Sequence, residues 1–185
     1  MIAAKENTSL KIRKLVLSAL LLALGLVLPF LTGNLPQFGS MLLPMHLPVL
    51  LCGFVCGWKW GLGVGLLVPI LRSLLFGMPP MVPKALAMAF ELATYGAVAG
   101  LCYRLLKKTP LRVLFSLLIA MAAGRVVWGL VSFLIYALFM ENGFSLAMFW
   151  AGGFVNAWPG IVLQIVLIPI VIFALERAKL IPLKD

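Results

Sequence analysis

Carboxylates are scarce in this chain: five Asp and Glu stand against fifteen Lys and Arg and a single His in 185 residues. No carboxylate pair, no HExxH and no serine in a nucleophile motif is present, so membrane hydrolase chemistry has little to stand on. There is no GxxxxGK[ST] loop, and the chain therefore cannot hydrolyse ATP by itself. The lone histidine, His46, has no second His or nearby carboxylate in the sequence, which argues against a metal or catalytic site; neither metal nor cofactor is expected. Cysteines number three, all inside apolar stretches. Cys52 and Cys56 share a helix face, but no His, Asp or Glu accompanies them on that turn, so they are read as packing residues. Charge of either sign makes up only 11% of the chain, where a soluble domain carries about 25%.

What fills the chain instead is apolar: 64% of residues are hydrophobic, and the mean hydropathy is +1.16. Six stretches stand out, from Ile12 to Leu31, Pro44 to Gly57, Trp60 to Phe76, Pro83 to Leu106, Leu111 to Met140 and Phe154 to Leu175. The expected fold class is an all-α polytopic membrane protein with six transmembrane helices. A helix needs about 20 apolar residues to cross roughly 30 Å of hydrocarbon, so the second stretch must tilt, kink or thin the bilayer. The first stays as a helix, because no A-x-A-like cleavage site follows it directly.

Basic residues set the orientation. Lys5, Lys11, Arg13 and Lys14 precede the first stretch, and Lys59 sits between the second and third. Arg104, Lys107, Lys108 and Arg112 bracket the hinge after the fourth, and Arg177, Lys179 and Lys184 follow the sixth. The opposite loops, Thr32 to Leu43, Gly77 to Val82 and Glu141 to Gly153, contain no Lys or Arg. By the positive-inside rule both termini are expected in the cytoplasm of a multi-pass protein of the cell membrane. The net charge of +10 then reads as orientation and contact with anionic membrane lipid, not as nucleic-acid binding. Only the tail Met1 to Ser9 and the residues after Ala178 are expected outside the membrane, which leaves no extramembrane catalytic domain.

Charge at membrane depth costs at least about 2.5–3.5 kcal/mol per group on insertion scales, so Arg72, Lys84, Glu91 and Arg125 each need a reason. Arg72 and Lys84 lie near outer helix ends, where long side chains can snorkel. Glu91 falls about 12 Å below the outer end of the fourth stretch and Arg125 about 21 Å above the inner end of the fifth, at a rise of 1.5 Å per residue. Both land near the middle, on helices joined by a short turn. They are therefore expected either to form a buried structural ion pair or to line a ligand pocket. Tyr95, Trp128, Tyr136, Trp150 and Trp158 gather toward the outer third, with Asn156 and Gln164 adding amides. Trp128 follows Arg125 by three residues on one face, placing an aromatic wall beside a cation. His46, at the outer start of the second stretch, is read first as a hydrogen-bonded structural residue and second as a ligand contact.

Ala19 and Ala23, four apart on the first stretch between Ser18 and Gly25, make a flat ridge on which another helix can approach closely. With the ridge, the Pro44-Met45-His46-Leu47-Pro48-Val49-Leu50 segment, Gly53 and Gly57, Gly77-Met78-Pro79-Pro80 and Glu91-Leu92-Ala93-Thr94-Tyr95-Gly96, nearly the whole chain resembles the substrate-binding S component of an energy-coupling factor (ECF) vitamin transporter. The branch it resembles includes carriers for riboflavin, pantothenate and pyridoxine-like compounds. The resemblance implies a single transmembrane substrate-binding domain over residues 1–185, binding a small water-soluble vitamin or precursor from outside with high affinity. It implies as partners a transmembrane coupling subunit, docked at Ala19 and Ala23, and two cytoplasmic ATPase subunits that hydrolyse ATP. It implies a ligand site at Glu91, Tyr95, Arg125, Trp128 and Asn156 with Gly33 to Ser40 as a lid, and His46 is counted with these as a substrate-binding residue. The rival reading is a self-sufficient secondary carrier, which usually shows internal repeats that are not evident in this chain. Arg125 suits a carboxylate or phosphate, Glu91 a hydroxyl or protonated nitrogen, and the aromatics a planar ring. Pantothenate and a pyridoxine- or pyrimidine-like compound both remain open on those grounds.

Overall fold

In hydrocarbon each backbone N–H and C=O has to be answered within the protein, and a helix does this locally. The computed structural model describes residues 2–33, 41–109, 111–140, 143–178 and 180–181, and among these all regular structure is helical. Seven helices follow in order: α1 (Ile2–Gly33), α2 (His46–Cys56), α3 (Trp58–Phe76), α4 (Leu86–Leu105), α5 (Arg112–Phe139), α6 (Leu146–Trp150) and α7 (Trp158–Arg177). Irregular wide turns lead into α4 over Met81–Ala85 and out of α6 over Ala151–Val155. Among the described residues, five segments are long and apolar enough to cross a membrane: Thr8–Leu31, Trp58–Phe76, Met81–Leu105, Arg112–Phe139 and Trp158–Arg177.

The second expected span takes a shorter form. Helix α2 has 11 residues, about 16 Å at the usual rise and roughly half the hydrocarbon thickness. Before it the chain runs through turns from Met41 to Met45, with Leu43 at a φ of 50°. Irregular backbone of this kind is tolerated at depth only inside protein or along a cavity. After it a single residue, Gly57, links α2 to α3 at a φ of 98°, a conformation open to glycine but not to L side chains at low cost. The last span also begins later than expected. Trp158 opens α7 with Pro159 in its first turn, where the missing N–H costs nothing, and the residues before it belong to the turn after α6.

Helix α4 is central, packing on α2, α3 and α5, while α1 lies against α2 and α3, and α7 against α2 and α5. Small residues let these axes close. A Cβ built on Gly96 of α4 would lie 2.2 Å from the carbonyl oxygen of Gly61 on α3, and one on Gly53 of α2 would lie 2.3 Å from the carbonyl oxygen of Gly96. Without a hydrophobic drive between helices in lipid, such backbone contact is what joins them. Where α4 ends and α5 begins, Tyr103 and Arg112 both hydrogen-bond Glu176 Oε1, the latter at 3.1 Å, and clasp α4, α5 and α7 together. Cys52 is buried as expected of a packing residue, its thiol 3.6 Å from Ser18 Oγ.

Candidate ligand site

Glu91 and Tyr95, four apart on α4, point the same way, toward α5 and the start of α2. Across from them Arg125 Nη1 donates to Glu91 Oε1 at 2.7 Å, and both residues are buried. The depth arithmetic from the sequence thus brings the two charges together. Gly124 makes room for Tyr95: a Cβ there would fall 2.0 Å from the tyrosine ring. His46, the first residue of α2, sets its ring edge-on to Tyr95 at 5.3 Å and its Nε2 3.6 Å from Glu91 Oε1. Here the sequence reading needs correcting, since His46 does have a carboxylate nearby. It comes from a residue 45 positions away, brought in by the packing of α2 on α4.

The cluster is under-satisfied. His46 Nδ1 and Nε2, the Tyr95 hydroxyl, Arg125 Nε and Nη2, and both amide atoms of Gln164 on α7 are buried with no hydrogen-bond partner. Buried polar groups normally have one, and an unanswered donor or acceptor costs about 1–3 kcal/mol. Those of His46, Tyr95 and Arg125 lie together around Glu91 and mark a place where something polar is expected to bind. Among the described residues no group of His, Cys, Asp and Glu could hold a metal ion.

The other expected site residues fall into two groups. Trp128 is half-buried beside the cluster: its ring and the Arg125 stem both lie against Gly153, within 4 Å of where a Cβ would be. It also stacks on Phe149 at 6.0 Å and meets Phe144 edge-on at 5.8 Å, so α6 extends the aromatic wall. Those phenylalanines went unnoticed in the sequence, where Glu141 to Gly153 read as a plain loop. The short helix could have been found from Ser145, whose Oγ accepts from Met148 N at 3.2 Å as an N-cap. Asn156, by contrast, is exposed at the end of the wide turn and is not brought into the buried cluster. Trp150 and Trp158 are exposed too, as an interfacial belt requires. Residues 34–40, which hold nearly all of the expected lid, lie outside the described residues. Immediately after them the Met41 carbonyl accepts from Gly160 N at 2.9 Å, tying the turns before α2 to the start of α7.

Three further placements matter. Arg72 does not snorkel: it is buried, and Nη1 donates to the Leu26 carbonyl of α1 at 2.5 Å. Lys84 is exposed in the wide turn that leads into α4. Ala19 and Ala23 are exposed on α1, whereas the flanking Ser18 and Gly25 are buried. An apolar groove of about 360 Å³ between α5 and α6 is walled by Val126, Leu130, Phe133 and Phe149, residues with no charge to offer a water-soluble ligand.

A helical, multi-pass membrane protein with an enclosed polar cluster between its helices is the class these features define. Residues 13–172 match the family model described as ECF transporter, substrate-specific component, and the chain belongs to that family. No curated protein and no solved structure matches it. It is therefore a membrane-embedded, substrate-specific component of a transporter, and the family is not one of enzymes.

Proposed function

We propose that the chain is the high-affinity substrate-binding subunit of an ATP-driven ECF-type importer for a small water-soluble vitamin or precursor. In this reading it is one transmembrane domain that crosses six times with both termini in the cytoplasm. The one-sided distribution of Lys and Arg supports this orientation. A transmembrane coupling subunit and two cytoplasmic ATPases supply the energy. The ligand sits against Glu91, Tyr95, Arg125 and His46, with Trp128 at its edge and Asn156 at the outer rim.

The observation that carries this reading is the buried Glu91–Arg125 pair with unanswered donors and acceptors around it. Its charges compensate each other in the empty state, and the free Nε and Nη2 of Arg125 remain available to a ligand. Affinity and thermal stability of purified Glu91→Gln and Arg125→Gln test it, using whatever vitamin the wild-type chain retains. Each variant is expected to lose at least about tenfold in affinity, the equivalent of one hydrogen bond of about 1.4 kcal/mol. Early melting with affinity intact in both would make the pair structural and move the pocket toward Trp150 and Asn156.

A further inference from the structure

Gln164, on α7, is a buried unanswered group that the proposed site has not used. It is fully enclosed on α7, and neither its amide oxygen nor its amide nitrogen has a partner. The face that carries it is buried at every fourth position, through Gly160, Gln164, Ile168 and Ile172. That face packs on α2 and α5, the helices that supply His46 and Arg125. One turn before it, Gly160 meets the backbone of Met41 and Leu42, which lead into α2. A glutamine in such a stripe has no structural reason to be polar. Leucine or isoleucine, as at Ile168 and Ile172, would fill the space without enclosing an amide that bonds nothing.

Charge narrows what the amide meets. Glu91 and Arg125 cancel across 2.7 Å, so a ligand bearing net charge would leave the enclosed cluster with an uncompensated charge at membrane depth. A neutral ligand would not, and it could still accept from Arg125 Nε and Nη2 with the ion pair intact. The edge-on rings of His46 and Tyr95 offer flat walls. An amide presents a donor and an acceptor side by side. We propose that Gln164 contacts the transported ligand, and that this ligand is an electrically neutral ring compound with a donor and an acceptor on adjacent atoms, such as the N–H/C=O edge of a pyrimidine-type ring. The proposal rests on the reading of the Glu91–Arg125 cluster as the ligand site.

The test is equilibrium dialysis of the purified full chain against a defined mixture of riboflavin, pyridoxine, thymine and pantothenate, with retained compounds quantified by mass spectrometry. Gln164→Leu and Gln164→Met are run beside the wild type, and the melting temperature of each empty protein is recorded. The wild type is expected to retain one of the neutral ring compounds. Both variants are expected to lose at least about tenfold in its retention, the worth of one hydrogen bond, while melting no earlier than the wild type when empty. Retention of pantothenate alone, equal retention by the variants, or earlier melting of both empty variants would each overturn the proposal. If the wild type retains nothing, the ligand reading of the cluster falls and takes this inference with it. If it retains a neutral ring compound that the variants hold equally well, only the role of Gln164 falls.

Discussion

Two guanidiniums lie at membrane depth in this protein, and their surroundings differ in a way that separates a supporting role from the binding role proposed for Arg125. Arg72 is spent on its own fold. It donates to the Leu26 carbonyl, three residues before Pro29, whose ring and missing N–H disturb the α1 ladder in that turn. The rings of Phe30 and Phe76, at 4.6 Å and 5.5 Å, cover the rest of the cation. Arg125 keeps Nε and Nη2 unanswered. Arg72→Met, which keeps a long stem and drops the donor, is therefore expected to destabilise the protein by about 1.5–3 kcal/mol, the range for a hydrogen bond from a charged group. Affinity for the retained vitamin should stay as it was. Denaturant unfolding and a binding isotherm on the same preparation check both halves, and lost affinity in a stably folded variant would put Arg72 in the site. At this scale the sequence was informative about depth and poor about partners. Residue counting put Glu91 and Arg125 at one level, but nothing local to Arg72 pointed to a carbonyl 46 positions away, or local to His46 to Glu91.

Helices α2, α3 and α4 meet backbone to backbone, and their glycines are not equivalent. Gly96 faces the Gly61 carbonyl, whereas a Cβ on Gly63 would have nothing within 4 Å. Gly96→Ala is expected to force α3 off α4 and cost about 1–3 kcal/mol or more by overpacking, while Gly63→Ala is neutral or slightly stabilising through its better helix propensity. Melting curves of the two purified variants decide it; coincident curves would show that the interface can give by the width of a methyl group. The long apolar helices were legible because hydropathy and length report directly on crossing. Helix α2 was not legible in detail: the Pro44 to Gly57 stretch reads as one apolar run, yet only His46–Cys56 winds into a helix. Its preceding turns are fixed by tertiary contact, through Met41 and Leu42 on Gly160, which no local pattern encodes. The same holds for α6, whose aromatics pack on Trp128 from what looked like loop.

At the scale of the molecule, α1 is the least enclosed of the long helices. One face holds to α2 and α3, with Ser18 near Cys52 and Gly25 against Val68. The opposite face carries Leu20, Leu24 and Val27 exposed, together with Ala19 and Ala23. Lipid tails can cover such a face, but between large neighbours the two alanines leave a flat track on which another helix can approach closely. This surface lies apart from the Glu91–Arg125 cluster, which belongs to α4 and α5, so the proposed docking and the proposed ligand binding should separate by mutation. The double variant Ala19→Trp, Ala23→Trp fills the track with bulk on an exposed face and leaves the core untouched. It is expected to bind the retained vitamin with wild-type affinity and melt within a few degrees of the wild type, an exposed change being worth about 0.5 kcal/mol at most. Uptake by cells carrying the coupling subunit and both ATPases should nevertheless be abolished, because the helices can no longer reach contact distance. Normal uptake by this double variant would show that the coupling subunit docks elsewhere.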